Sequence, residues 1–382
     1  MIETPPLVDQ YCHGVLRTEL GLATFEAQLI DSAGPPAAGT TFFDTQTGFA
    51  VRRWCPPLLG LEPHCAPARY LARRRELGAA ETGRRLLGGS GVGAYLVDTG
   101  VGAGAGTAGS AAGGAGDAGA GDLGGPEELG RAGNARAYEV ARLELLAEQA
   151  ADTSGTVAAF LANLGGAVHH AAAVAVAFGC GAATGYARAL DRDPGPPGPG
   201  EVRGAAGRWL AGRGRGESLR DPVLLRHLLW SAVTTGLPLQ LHTAAREPGP
   251  LAGFVRATAG LGAPLVLLGG YPHHRHTARL AAAYPHVHAD LGPALAATGA
   301  RAAAVLAELL ELAPFGKLLF SSGGRRLPEL HAVGALVFRE ALGRVLGGWV
   351  NDGAWSWRDA DRVAAMLAAG NARRVYRLDE RG

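Results

Sequence analysis

The sequence predicts a parallel (β/α)₈ barrel with a helical insertion after its first strand. Eight short apolar runs, each closing on a polar or small residue, recur along the 382 residues. Helical patterns separate the later runs, and strands alternating with helices are the signature of a parallel sheet. Hydrophobic residues make up 47% of the chain, enough for a sizeable core. A doubly wound open sheet is the runner-up.

The candidate strands are 7–13, 92–98, 137–143, 174–180, 237–242, 264–269, 286–291 and 317–322. Residues 221–235 read as a helix, because Leu224, Leu225, Leu228 and Leu229 share one face. Asp221 is placed to cap it and Pro222 to occupy its first position. Residues 275–284 and 300–312 follow the same pattern. The stretch 14–90 is an elaborate insertion, predicted to be helical at 22–31 and 67–77. Residues 101–125 are almost entirely Gly and Ala, which cannot bury a core, so the segment is expected to be a disordered loop over the C-terminal mouth. The run 193–200, Asp-Pro-Gly-Pro-Pro-Gly-Pro-Gly, reads as a stiff loop after the fourth strand. Neither segment marks a boundary, so 1–382 is read as one domain.

Composition narrows the chemistry. A net charge of +2 implies neither nucleic acid nor an anionic membrane as partner. Basic residues are almost all arginine, consistent with a GC-rich genome of the actinobacterial type, and Lys317 is the only lysine. It precedes an apolar run, at the entry end of a parallel strand, which excludes a phosphate loop or Schiff-base site built on lysine. Cys12, Cys55, Cys65 and Cys180 match no zinc ribbon or disulfide framework. The N-terminus lacks the charged and apolar regions of a signal peptide, and no stretch is read as approaching a span of about 20 apolar residues. The expected setting is a reducing cytoplasm.

His242 is the first candidate site residue. It closes the apolar run Leu237-Pro238-Leu239-Gln240-Leu241, and a titratable group there is costly unless it is bonded to something. In parallel barrels that end of a strand is where chemistry sits. Arg142 and Glu144 fall on one side of the third strand by period two. They read either as an ion pair bracing the barrel or as a carboxylate anchor (Arg142) beside a general acid or base (Glu144).

A family resemblance runs through Asp9-Gln10-Tyr11-Cys12-His13-Gly14, Phe42-Phe43-Asp44, Arg52-Arg53-Trp54-Cys55, Tyr95-Leu96-Val97-Asp98-Thr99-Gly100 and Arg142-Leu143-Glu144. It continues through Leu241-His242-Thr243, Gly270-Tyr271-Pro272, Pro328-Glu329-Leu330 and Gly370-Asn371-Ala372-Arg373-Arg374-Val375-Tyr376. On these residues the chain resembles the amidohydrolase-related proteins of the amidohydrolase superfamily, in particular the bacterial branch similar to the amidohydrolase half of nodulin/glutamine-synthetase-like fusions.

The resemblance implies a His-x-His pair ending strand 1, often a carboxylated lysine at strand 4, histidines ending strands 5 and 6, and an aspartate ending strand 8. Together these would hold one or two divalent metals and activate water. Here Tyr11 stands at the first position of the pair and His13 at the second. Strand 4 offers no lysine in Ala177-Phe178-Gly179-Cys180, and His242 matches at strand 5. The strand 6 and strand 8 positions fall on Gly269 and Gly323. A single zinc held by His13 and His242 would need a third ligand from Glu144, Cys12 or Cys180. The expected catalytic residues are therefore His13, His242 and Glu144. Tyr11, Arg142, Tyr271, His274 and Arg53 are expected to bind substrate, with no cofactor or one divalent metal.

The expected activity is that of a divergent hydrolase acting on a small molecule. A catalytically inactive binding protein and a decarboxylase or lyase are the alternatives, and a homo-oligomer is compatible with each. His273 and His276 read as solvated surface, while His169 and His170 are adjacent and cannot both face one site from regular structure. His286 and His288 share a face of strand 7 but precede its end.

Overall fold

The computed structural model describes residues 2–30, 32, 34–100, 122–181, 185–214, 217–243 and 249–380. Eight strands form one parallel sheet in chain order: β1 (Leu7–Cys12), β2 (Val92–Asp98), β3 (Arg136–Arg142), β4 (Ala177–Cys180), β5 (Leu239–His242), β6 (Leu265–Leu268), β7 (Val287–Asp290) and β8 (Leu318–Leu319). Each strand pairs with the next. The Gln10 amide donates to the Phe320 carbonyl just beyond β8, so the sheet closes on itself as a (β/α)₈ barrel.

An inner apolar cluster fills the barrel. It holds Val8, Ala94, Leu96, Val140, Ala177, Val266, Leu268 and Leu319, and a larger outer cluster packs strands against helices. The C-terminal helix Asn371–Tyr376 stoppers the entry end, where Asn371 donates to the carbonyls of Phe315 and Leu318. Tyr376 then reaches up the barrel axis to Gln10 and Gln240.

The 221–235 expectation becomes a helix at Pro222–Thr234, with the Asp221 carboxylate accepting from the Val223 and Leu224 amides at 2.9 and 3.1 Å. The 275–284 pattern is a helix at His274–Ala283, and 300–312 opens as a 3₁₀ turn before the helix Ala302–Leu312. In the insertion, 67–77 is a helix throughout, whereas 22–31 shortens to Leu22–Ala27. Two further helices lie there, Gln46–Leu58 and Ala79–Gly89. Pro56 and Pro57 in the last turn of the first, and glycines in the second, hide the helical pattern from sequence.

The apolar run read as a strand at 174–180 divides differently. Val157–Val174 is one 18-residue helix and the strand begins at Ala177, because apolar content alone cannot separate buried helix from buried strand. With a mean hydropathy of 1.4 and 22% of its residues buried, this helix is long and apolar enough to cross a membrane by length and composition. That corrects the expectation that no stretch approaches such a span, since Gly165 and Gly166 interrupt the run without ending it.

The Pro-Gly run at 193–200 follows the helix Tyr186–Arg192, and Pro199 opens the helix Pro199–Gly212. Of the Gly/Ala-rich segment, 101–121 lies outside the described residues. Residues 122–125 are tied to the chain after β1, through Gly124 N–H donating to Val15 O and Arg17 N–H to Asp122 O.

Candidate functional site at the barrel mouth

The site begins with an irregularity in β1. Leu7 packs outward and Val8 inward, but the register shifts between Asp9 and Cys12. Gln10 and Tyr11 consequently both face the interior, and Cys12 returns to the outer cluster. The bulge re-aims side chains that strict alternation would have placed otherwise. His13, one residue past the strand, is buried in the mouth beside Tyr11.

The tautomer of His13 follows from its partners. Nδ1 lies 3.0 Å from the Asp98 backbone carbonyl, which can only accept, so Nδ1 carries the hydrogen. Nε2 is then an acceptor, and it receives the Tyr11 hydroxyl at 2.6 Å. The Tyr11 ring also meets His242 edge-on, with centroids 4.7 Å apart. Tyr11 therefore stands between the two histidines.

Strands β2 and β3 supply an ionic lock. Arg142, ending β3, makes two hydrogen bonds to the Asp98 carboxylate, which also accepts from the Gly100 amide at 2.9 Å. Glu144 approaches Arg142 at 3.9 Å and accepts from the Gly181 amide at 2.6 Å. Its other oxygen, Oε2, is buried and makes no hydrogen bond. Glu144 is not on the strand, as its spacing from Arg142 had suggested. β3 ends at Arg142, and Glu144 sits in the first turn of the helix Leu143–Asp152, where a carboxylate is favoured.

His242 closes β5 with its backbone carbonyl accepting from the Tyr186 hydroxyl at 2.7 Å. Part of the residue reaches solvent, but Nε2 is sealed and has no hydrogen-bond partner.

Burial dominates the electrostatics. It lowers His13 to about 4 and His242 to about 3, with Arg142 adding to both shifts, so each ring is neutral at physiological pH. Burial and then Asp98 push the Tyr11 hydroxyl up, so it keeps its proton. Burial also raises Glu144, against the pull of Arg142. It works to raise Asp98 as well, but there Arg142, together with His13 and the Gly100 amide, outweighs it and holds the carboxyl below its ordinary value.

Five of the expected residues therefore gather at one place: Tyr11, His13, Arg142, Glu144 and His242. Three do not, and each has a local reason. Arg53 projects from Gln46–Leu58 toward the helix Pro328–Asn351, where it is bidentate with Glu340 at 2.8 and 2.9 Å. His274 is held by Glu308 at 2.8 Å and by the Pro272 carbonyl at 3.2 Å. Tyr271 is exposed and stacks on His274 at 5.4 Å. None of the three contacts the cluster through a bond or ring that the described residues show.

Two carboxylates that the sequence reading gave no role also end strands. Asp98 anchors the lock. Asp290, closing β7, accepts from Gln10 at 3.0 Å and is raised to about 6 by burial, with Oδ2 unbonded. Both carry the signal that singled out His242, a titratable residue closing an apolar strand.

The donor set does not fit the metal centre that the resemblance implied. Both ring nitrogens of His13 are engaged, and the Tyr11 hydroxyl takes the lone pair a metal would need. Of the two histidines, only His242 offers a ring nitrogen without a partner, at Nε2. At the strand 6 and strand 8 positions, Gly269 (φ +73°) and Gly323 (φ +60°) adopt left-handed conformations. A Cβ built on Gly323 would lie 2.5 Å from Pro293 Cγ, so the backbone there is committed to glycine.

Comparison with known proteins agrees with this architecture. The amidohydrolase family model matches residues 131–378. Protein fluG of Emericella nidulans is 32% identical over 154 residues, 37% of this chain and 18% of that protein, so the match spans less than a fifth of its length. Among solved structures, a protein described as a metal-dependent hydrolase from Lactobacillus casei superposes with a TM-score of 0.79 at 19% identity, covering 99% of this chain and 97% of that one. The uronate isomerase of Thermotoga maritima follows at 0.59 and 12% identity, covering 97% and 94%. The glucuronate isomerase of Caulobacter crescentus superposes at 0.56 and 15%, covering 99% and 92%. At such identities these likenesses establish the fold.

Proposed function

The chain belongs to the amidohydrolase family, and from that premise we propose that it is a divergent hydrolase acting on a small molecule at the C-terminal mouth of the barrel. The observation that carries this reading is the pair of orphaned atoms, Glu144 Oε2 and His242 Nε2. A buried polar atom without a partner costs about 1–3 kcal/mol. Two of them in the same mouth, one in the helix turn after β3 and one closing β5, are what a site awaiting a ligand and a water would leave unpaired.

Each group then has a role set by its bonds. Glu144, raised by burial toward the range where general bases work, takes a proton from water as the oxygen adds to the substrate carbonyl, then returns it to the leaving group. Neutral His242 hydrogen-bonds the substrate through Nε2. Arg142 is already committed to Asp98, so it positions Glu144 and holds the local charge balance. Tyr11 and His13 form a closed dyad that shapes the pocket wall. No step passes through a metal, because the mouth residues do not fit one.

A screen of hydrolysable esters, lactones and amides with the full chain tests this. Glu144→Gln should lower any turnover by about 100-fold or more with binding retained. Turnover unchanged in both Glu144→Gln and His242→Asn would overturn the reading. A second reading, a binding protein without turnover, is favoured by the closed Tyr11–His13 dyad. It predicts ligand-induced stabilisation that His242→Asn abolishes, with no product formed.

A further inference from the structure

On the outer side of β1 lies a second cluster that the mouth does not use. The β1 bulge that turns Tyr11 inward leaves Asp9 and Cys12 both facing the helix Pro328–Asn351, against His331. A carboxylate oxygen, the Cys12 sulfur and a His331 ring nitrogen all lie within 4.8 Å of one another, and all three residues are fully buried. We propose that Asp9, Cys12 and His331 form a metal site for a zinc-class divalent cation, distinct from the barrel mouth and closed to solvent.

Three observations support it. The first is the state of Asp9. Its two oxygens accept from the Ser322 amide at 2.8 Å and from the Ser322 hydroxyl, donors suited to a carboxylate anion. Yet no arginine or lysine among the described residues pairs with it. An anion sealed in an apolar wall without a cation is costly.

The second is His331. Nδ1 stands 4.0 Å from Asp9 Oδ2, too far for a hydrogen bond, and neither ring nitrogen makes a well-formed one. The ring also lies against the His13 backbone, whose proximity favours a donated N–H. A ring that lies against backbone and also brings a nitrogen near a carboxylate and a thiol is the usual arrangement of a ligating histidine.

The third is charge and donor type. Carboxylate, thiolate and neutral imidazole are a zinc-type donor set, and with a dication they sum to zero charge. Without the ion, burial holds Cys12 as a thiol and raises Asp9 to about 7. Ligands of a tetrahedral zinc stand about 3.3–3.7 Å apart, so the cluster need contract only modestly around an ion. The site is sealed, so the ion would enter as the chain folds.

The test uses the full chain, refolded or expressed with zinc or cobalt and purified without chelator, with metal content measured by mass spectrometry. About one metal per chain is expected in the wild type and in His242→Asn, falling at least about tenfold in Cys12→Ser and His331→Gln. The cobalt form of the wild type should show a sulfur-to-cobalt charge-transfer band, which needs no variant to fold. Absence of both stoichiometric metal and that band overturns the proposal. So does metal retained by both cluster variants, or metal lost only in His242→Asn, which would place it in the mouth and count against the metal-free reading given above.

Discussion

The two halves of the barrel mouth are built in opposite ways. From β1 to β3, strand ends carry Tyr11, His13, Asp98 and Arg142, and almost every polar atom is spoken for by a neighbour. From β5 to β8 the ends carry His242, Gly269, Asp290 and, beyond β8, Gly323. There two titratable groups have unbonded atoms and two positions have no side chain. The first half is held by its own hydrogen bonds, while the second keeps room and unsatisfied donors or acceptors. The fixed half still presents Glu144 Oε2, so a ligand would be contacted by that oxygen and by the open half.

Four experiments sharpen or break that contrast. Arg142→Met should have the largest effect, because it leaves Asp98 buried beside Glu144 without a cation. The expected loss is about 3–5 kcal/mol in urea denaturation, and a loss within experimental error would mean the fixed half is not held by this lock. Gly323→Asp should cost about 2–4 kcal/mol through left-handed strain and the Pro293 contact. Gly269→Ala should cost only about 1–2 kcal/mol, since a Cβ there meets nothing within 4 Å. Thermal melts of the two variants side by side would test whether the open half has been rebuilt around glycine.

Tyr11→Phe comes next, at about 1–3 kcal/mol, by leaving His13 Nε2 buried and unpaired. If Tyr11 is what keeps metal from His13, this variant should also take up zinc at the mouth, measured as metal that a further His242→Asn substitution removes. No gain in metal would mean the tyrosine is not the obstacle.

The smallest effect concerns acid. His242 has a folded value of about 3 against an ordinary 6.5, so between those limits the unfolded chain binds the additional proton. The stability this contributes is complete above pH 6.5 and is lost as pH falls below it, at up to about 1.4 kcal/mol per pH unit. His242→Asn should show a shallower loss between pH 7 and pH 5 by that amount. Asp9, raised to about 7, acts in the opposite direction, but it is common to both proteins and cancels. Equal slopes would mean that His242 is not sealed.

Much of the fold was legible because burial writes itself into sequence. Every strand run contains its observed strand, apart from a one-residue slip at β3, and the 67–77 helix is found at those residues. The site was less legible. Period-two alternation placed Glu144 on a strand that had already become a helix, and it could not anticipate the β1 bulge. Resemblance grouped Arg53, Tyr271 and His274 with the mouth, although Glu340 and Glu308 hold Arg53 and His274 elsewhere and Tyr271 stacks on His274. Asp98 passed without a role because its partner, Arg142, is 44 residues away.

By itself the sequence determined the barrel, its eight strands and the residue types available at each strand end, since apolar periodicity and capping are local properties. Tertiary structure decided which of those residues meet. The register shift between Asp9 and Cys12 in β1 turned Tyr11 toward His13 and His242 while leaving Asp9 and Cys12 to His331. Which face a side chain takes depends on pairing across strands, and no local pattern encodes that.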